Sequence, residues 1–227
     1  MSPAAIAPNP RNFQWMIPAG LILLSVVPVI AGSARLIELN GGPEVTPQNE
    51  RFVSMPLPVV VHIVSVTIYC LLGALQFHPG FRRRNIRWHR ISGRILLPFG
   101  LAAALSGLWM TQFYAPPPLD QTVALYLIRV AVGVAMFAFL IAAFIAVRRR
   151  DIPTHSAFMI RAYALGIGAG TQVLTHIPFF VASSYQNEVT RTLCMAAGWA
   201  INIVVAEWVI RRMRPRNRTP MAATARA

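Results

Sequence analysis

The chain has 227 residues, of which 56% are hydrophobic and only 12% charged, at a mean hydropathy of +0.53. A soluble domain carries about a quarter charged residues, so this composition excludes an ordinary water-soluble enzyme or binding domain. The net charge of +14 rests on 21 arginines and no lysine, against 7 acids.

In chain order, residues 1–14 hold three prolines and little apolar sequence, and are expected to be disordered. Six apolar runs follow, each of roughly 20 residues and so able to cross ~30 Å of hydrocarbon. They are Trp15–Ala34, Leu57–Phe77, Ile95–Tyr114, Val123–Val147, Ala157–Val181 and Thr192–Ile210. Arg11 and the small residues Ala31 to Ala34 also resemble a secretory signal with a cleavage site. Pro18 and Pro28 interrupt that run and its flank carries one charge, so the first span is read as retained. Asn40-Gly41-Gly42-Pro43 opens a polar loop, and Pro56 and Pro58 start the second span, where first-turn amides lack helical partners in any case. His78-Pro79-Gly80 closes it with turn chemistry, His78 reading as a loop residue. Ala115-Pro116-Pro117-Pro118 forms a stiff connector and Ser183–Gln186 a short one. Residues 213–227 form a basic tail, expected to be disordered. The implied fold is all-α, a polytopic bundle of six transmembrane helices occupying residues 15–212 as one domain.

The arginines alternate with the spans. Arg82, Arg83, Arg84, Arg87 and Arg90 follow the second span, Arg148, Arg149 and Arg150 the fourth, and Arg211, Arg212, Arg214, Arg216, Arg218 and Arg226 the sixth. Glu38, Glu44, Glu50, Asp120 and Glu188 lie in the opposite loops, with Arg35, Arg51 and Arg191. The positive-inside rule then puts both termini in the cytoplasm of a bacterial inner-membrane protein. Anionic lipid headgroups are the expected partners of the basic loops, and nucleic acid is not expected. Cys70 and Cys194 lie at different depths and read as small packing residues rather than a disulfide.

The core spans repeat. Arg82-Arg83-Arg84-Asn85-Ile86 with His89 returns as Arg148-Arg149-Arg150-Asp151-Ile152 with His155, at an offset of 66 residues (Arg82 to Arg148). Gly100 and Ala104 fall opposite Gly166 and Gly170 in the same register. Residues 57–181 therefore read as a four-helix core of two helical hairpins, about 57–114 and 123–181, flanked by the first and last spans. Asn85 and Asp151 can cap the helices that follow them. Gly100, Ala104, Gly107, Gly166 and Gly170 supply close helix contact through small residues, or a gap for a flat cofactor.

Ionisable residues within a bilayer are functional candidates. His62 and His176 lie at matching depths, roughly 7 Å below the acidic-loop edge at ~1.5 Å rise per residue. His89 and His155 match at the arginine edge. Two histidine pairs at two depths are what two b-type haems need as axial ligands. Arg129 is available for propionates at the first level, Arg94 and Arg161 at the second. The expected role is then transmembrane electron transfer from a quinol or other small reductant, since no side chain supplies redox chemistry by itself. Two alternatives are a small-molecule or lipid transporter, using the polar face of Thr171, Gln172 and Thr175, and a scaffold subunit for a membrane partner. Arg94 and Arg161 can also snorkel to the surface, and Glu207 is spaced to pair with Arg211. No hydrolase, kinase or zinc-protease motif is present.

His62, Gly73, Gln76, His89-Arg90-x-x-Gly93-Arg94 and His155-x-x-x-Met159-Ile160-Arg161 carry a resemblance. The chain resembles, over about residues 57–181, a bacterial membrane-protein family catalogued as domain of unknown function 2306. The resemblance implies a multi-pass membrane protein and no established activity. It marks His62, His89 and His155, and not His176. Ser156 and Phe158 stand where the family usually has a basic and an aromatic residue.

Overall fold

The computed structural model describes residues 10–182, 184 and 186–213, with backbone alone at 10–13, 82 and 83. Every regular element among them is helical. The first span begins earlier than its apolar run: α1 covers Pro10–Asn40, so residues 10–14 are helical rather than disordered. The expected tail lies outside the described residues beyond Met213, and so does part of the Ser183–Gln186 connector.

A short α2 (Glu50–Ser54) leads into α3 (Pro56–Gln76), which has proline in its first turn. The turn expected at His78 is itself a helix start. His78 caps the short α4 (Pro79–Arg84), its Nδ1 accepting from the amides of Gly80 and Phe81 at 3.0 and 3.3 Å. The ring is buried and lies 4.3 Å, centroid to centroid, from that of Trp15. Its apolar neighbours explain why this histidine is not a solvated loop residue.

The repeat is visible in the local hydrogen bonding. Asn85 Oδ1 accepts from Trp88 N at 3.1 Å to start α5 (Ile86–Phe113), and Asp151 Oδ1 accepts from Thr154 N at 3.1 Å to start α7 (Ile152–Gly166). Between the hairpins, Pro118–Asp120 forms a 3-10 turn, and Thr122 caps α6 (Val123–Arg148). Arg150 closes α6 with φ +62°, in the left-handed region usually reserved for glycine. That conformation lets Asp151 N reach Ala146 O at 3.0 Å, and the chain reverses directly into the α7 cap.

The run Ala157–Val181 was expected as one helix and is three. After α7 come α8 (Gly168–Thr175) and α9 (Ile177–Val181), interrupted at Ile167 and His176. Pro178 has no N–H to give to the carbonyl four residues back, and glycine flanks Ile167 on both sides. The interruptions are single residues, since Ile167 N still reaches Tyr163 O and His176 N still reaches Gln172 O, both at 3.0 Å. Among the described residues, five helices are long and apolar enough to cross a membrane without a break: α1, α3, α5, α6 and α10 (Glu188–Met213). The chain is a polytopic helical membrane bundle with a segmented element in place of the sixth continuous span.

Within it α3 packs on α5, α5 on α6, α6 on α7, and α7 back on α3. Helix α1 lies across α3 and α8, and α10 covers α7 and α8. Tyr69, 1% exposed, stands at the centre. A Cβ on Gly100 would lie 2.7 Å from its Cε2, and one on Gly166 2.8 Å from its Cε1. The two repeat-related glycines thus grip opposite edges of one tyrosine ring. The Tyr163 hydroxyl donates to Cys70 O at 2.8 Å, bridging the hairpins. In lipid such close contact, rather than hydrophobic expulsion, holds helices together.

Candidate functional site

Above Tyr69 the bundle does not close. A cavity of about 430 Å³ is bordered by α1, α3, α5, α6, the α7–α8 junction and α10, a volume within the usual range of about 300–1,000 Å³ for small-molecule sites. Cys70, Met136 and Trp199 line its deeper part. Its upper rim reaches the acidic loops, at Arg51, Phe52, Tyr114, Asp120 and Arg129. From His62 to Cys70 the wall spans two turns of α3, about 12 Å at 1.5 Å per residue.

His62 puts an imidazole on the apolar part of the wall. Its Nδ1 lies 3.1 Å from Ala103 O and 3.1 Å from Ser106 Oγ. A carbonyl only accepts, so Nδ1 carries the proton and Nε2 keeps its lone pair. Nε2 makes no hydrogen bond to the described residues. A Cβ on Gly107 would stand 3.2 Å from Cε1, so glycine there gives the imidazole its place. Met110, Met136 and Met195 put thioethers on the same walls.

The rim is charged and coupled. Asp120, 6% exposed, accepts from Arg129 Nη2 at 2.6 Å and from the Arg191 guanidinium. Burial raises the Asp120 pKa, but the hydrogen bonds from Arg191 and Arg129 outweigh it and hold the carboxyl below its ordinary range. Arg51 donates to Ala115 O at 3.1 Å and stacks 4.6 Å from the Phe52 centroid. It forms no ion pair with a described residue. Burial lowers its pKa, with Asp120 pulling the other way.

Of the expected site residues, the structure brings His62 and Arg129 to one cavity and leaves the others elsewhere. His176 is 5% exposed at the α8–α9 break. Its Nδ1 lies 2.7 Å from Gln172 O, Nε2 is buried without a partner among the described residues, and Phe179 and Phe180 flank the ring. It does not line the cavity wall that holds His62. His89 and His155 are each the fourth residue of a helix, α5 and α7, at the arginine-rich end. His155 Nδ1 lies 2.9 Å from Ala143 O on α6. Arg94 is exposed. Arg161 does not simply snorkel: it grips Glu207 through Nε at 2.5 Å and Nη2 at 2.9 Å, across from α7 to α10. Expected as the partner of Arg211, Glu207 faces Arg161 because α10 lies along α7.

The glycine gap and the polar face are also occupied. Tyr69 fills the space at Gly100 and Gly166, Trp199 abuts Gly168, and the α1 backbone at Leu24 abuts Gly170. Thr171 Oγ1 donates to Asn202 Oδ1 at 2.7 Å, Gln172 to Met195 O at 3.1 Å and Thr175 to Cys194 O at 2.7 Å. These groups tie α8 to α10, and of the three only Gln172 also touches the cavity. Sequence reading missed Arg51, Phe52 and Asp120 as site residues because each looked like a loop residue. The proline run before Asp120 was the available sign of a loop folded back on the bundle.

No curated protein and no solved structure matches the chain. A family model described as predicted membrane protein (DUF2306) matches residues 59–210, from the second turn of α3 to the last turn of α10, and so takes in the repeat, His62 and most of the cavity wall. The chain belongs to this family of predicted membrane proteins.

Proposed function

We propose that the protein is a membrane carrier or receptor for a small amphipathic molecule, which enters the bundle cavity from the leaflet on the acidic-loop side. The observation that carries this reading is the cavity itself, apolar below, charged at the rim, and furnished with one oriented imidazole. Apolar walls with a few placed polar groups are the usual make-up of a ligand site. The arginine-rich loops face the cytoplasm of a bacterial inner membrane, so the mouth faces the other side. His62 Nε2 presents an acceptor on the wall, and the Phe52 ring and Tyr114 shape the entry.

The test is occlusion. Ala169 lines the cavity and its methyl is exposed, so Ala169→Phe fills space without displacing a packed group. Protein purified in nanodiscs should release a small molecule on solvent extraction, identified by mass spectrometry, and the Ala169→Phe protein should lack it. Equal amounts from both proteins would remove the cavity from the function.

One observation favours a second reading, b-type haem. A histidine whose Nδ1–H is held by a carbonyl presents Nε2 in the tautomer a metal takes, with the outer hydrogen bond fixing the ring. His62 and a thioether of Met110, Met136 or Met195 would hold the iron, and Arg51 and Arg129 would meet the propionates. When bound, the group would supply one-electron chemistry toward a quinol or another reductant. A reduced-minus-oxidised spectrum of protein from haem-replete cells decides this reading. Haem difference bands that vanish in His62→Ala support it, and a flat difference spectrum ends it.

A further inference from the structure

We infer that the cavity selects an anionic amphiphile: an acyl or alkyl chain lying in the bundle, with a phosphate or carboxylate headgroup held at the rim by Arg51 and Arg129. This rests on the reading of the cavity as an amphiphile site and adds the charge of the headgroup.

The rim carries an unbalanced positive charge. Two guanidiniums, Arg51 and Arg129, and one carboxylate, Asp120, line it. That carboxylate is shared, because Arg191 also donates to it. Arg51 has no carboxylate partner among the described residues, and Arg35, whose own partner is Glu38 at 2.6 Å, approaches the same Phe52 ring at 4.7 Å. Arg51 and Arg129 on one rim repel each other, and an anion held by both relieves that repulsion. Arg51 and Arg129 are partly buried, where a charge–charge contact is stronger than on an open surface. Arginine is also the side chain whose donor fork fits the planar carboxylate or the phosphate face.

Below the rim the chemistry changes within two helical turns. Ile63 and Val66 of α3, Val132 of α6 and Leu165 of α7 make an apolar barrel down to Cys70 and Met136. A free inorganic anion would leave this length unused, and an uncharged lipid would leave the guanidiniums unneutralised. An anionic headgroup on a hydrocarbon chain satisfies both parts.

Trp199 lines the deeper wall and serves as the reporter. The protein is reconstituted in phosphatidylcholine nanodiscs and titrated with three probes carrying bromine at the chain end: a dodecyl phosphate, a dodecanoate and a dodecanol. Bromine at the chain terminus quenches an indole it touches, and the part of the quenching lost in Trp199→Phe is the signal from the cavity. The phosphate or the carboxylate probe, or both, should quench at concentrations at least tenfold below the alcohol. Whichever is tighter identifies a lipid phosphate or a fatty-acid source. Arg51→Gln should weaken the anionic probes about tenfold, about 1.4 kcal/mol, and leave the alcohol unchanged, which also shows that the variant is folded. Equal binding of all three probes, or anionic binding indifferent to Arg51→Gln, overturns the headgroup inference while the amphiphile site stands. If no probe quenches Trp199, the amphiphile site falls and this inference with it.

Discussion

Tyr69 is held between two glycines that the repeat relates, and this contact gives a quantitative test of how the hairpins are joined. In Gly166→Ala the new Cβ would stand 2.8 Å from Tyr69 Cε1, while its next neighbour, Met136 Cε at 3.2 Å, ends a flexible side chain. Overpacking of this kind costs about 1–3 kcal/mol, against which alanine gains up to ~1 kcal/mol of helix preference over glycine. We expect Gly166→Ala to destabilise by about 1 kcal/mol. In a Tyr69→Leu background, which lacks the ring edge, the same substitution should be neutral or favourable, a coupling of about 2 kcal/mol. Tyr69→Phe separates the ring from the hydroxyl. The hydroxyl is buried without a partner, so its removal should stabilise by about 1 kcal/mol while the coupling to Gly166 persists. The assay is unfolding by sodium dodecyl sulfate in mixed micelles, following near-ultraviolet circular dichroism for all members of the cycle. Additivity of Gly166→Ala and Tyr69→Leu within about 0.5 kcal/mol would show that ring and glycine do not share the space described.

Three further outcomes follow from individual contacts. Asp120→Asn should cost about 2 kcal/mol by weakening charge-assisted bonds to Arg129 and Arg191. Because the folded carboxyl is depressed below 3.8, its contribution is complete above about pH 4 and is lost as pH falls through the depressed value. Melting curves in descending pH steps should therefore show an acid limb that is smaller in the asparagine variant, and identical limbs would refute the linkage. Arg161→Gln and Glu207→Gln should each destabilise by about 1–3 kcal/mol, with the double variant losing less than the sum. Additive losses in the same detergent unfolding would show that the pair does not join α7 to α10. In Gly170→Ala the Cβ would collide with the Leu24 carbonyl oxygen, a backbone contact that cannot rotate away. That variant should part α1 from α8, read as a fall in disulfide crosslinking between cysteines placed on the two helices, and unchanged crosslinking would contradict the packing.

Much of the fold was legible because it depends on local sequence. Runs of apolar residues fix which segments enter lipid, since unsatisfied backbone groups leave a helix as the way to cross. The caps at Asn85 and Asp151 follow from side chains that bond their own helix starts, and the repeat shows because both copies use the same device. Membership of the family was likewise readable from the histidine and arginine motifs, all in the matched segment. What escaped depends on contacts distant in sequence. Depth along a helix placed His62 and His176 at one level, but depth says nothing about rotation around the axis: His62 turns to α5 and lines the cavity, while His176 turns back on its own helix. Ion-pair partners were missed for the same reason. Glu207 and Arg161 are 46 residues apart and Asp120 and Arg191 are 71 apart, beyond any rule of helical spacing. The glycines marked close approach correctly, yet only the packed bundle decided that a tyrosine, a tryptophan and the α1 backbone take those places. The cavity is what remains where no large side chain reaches, a property of several helices together that no single stretch of sequence contains.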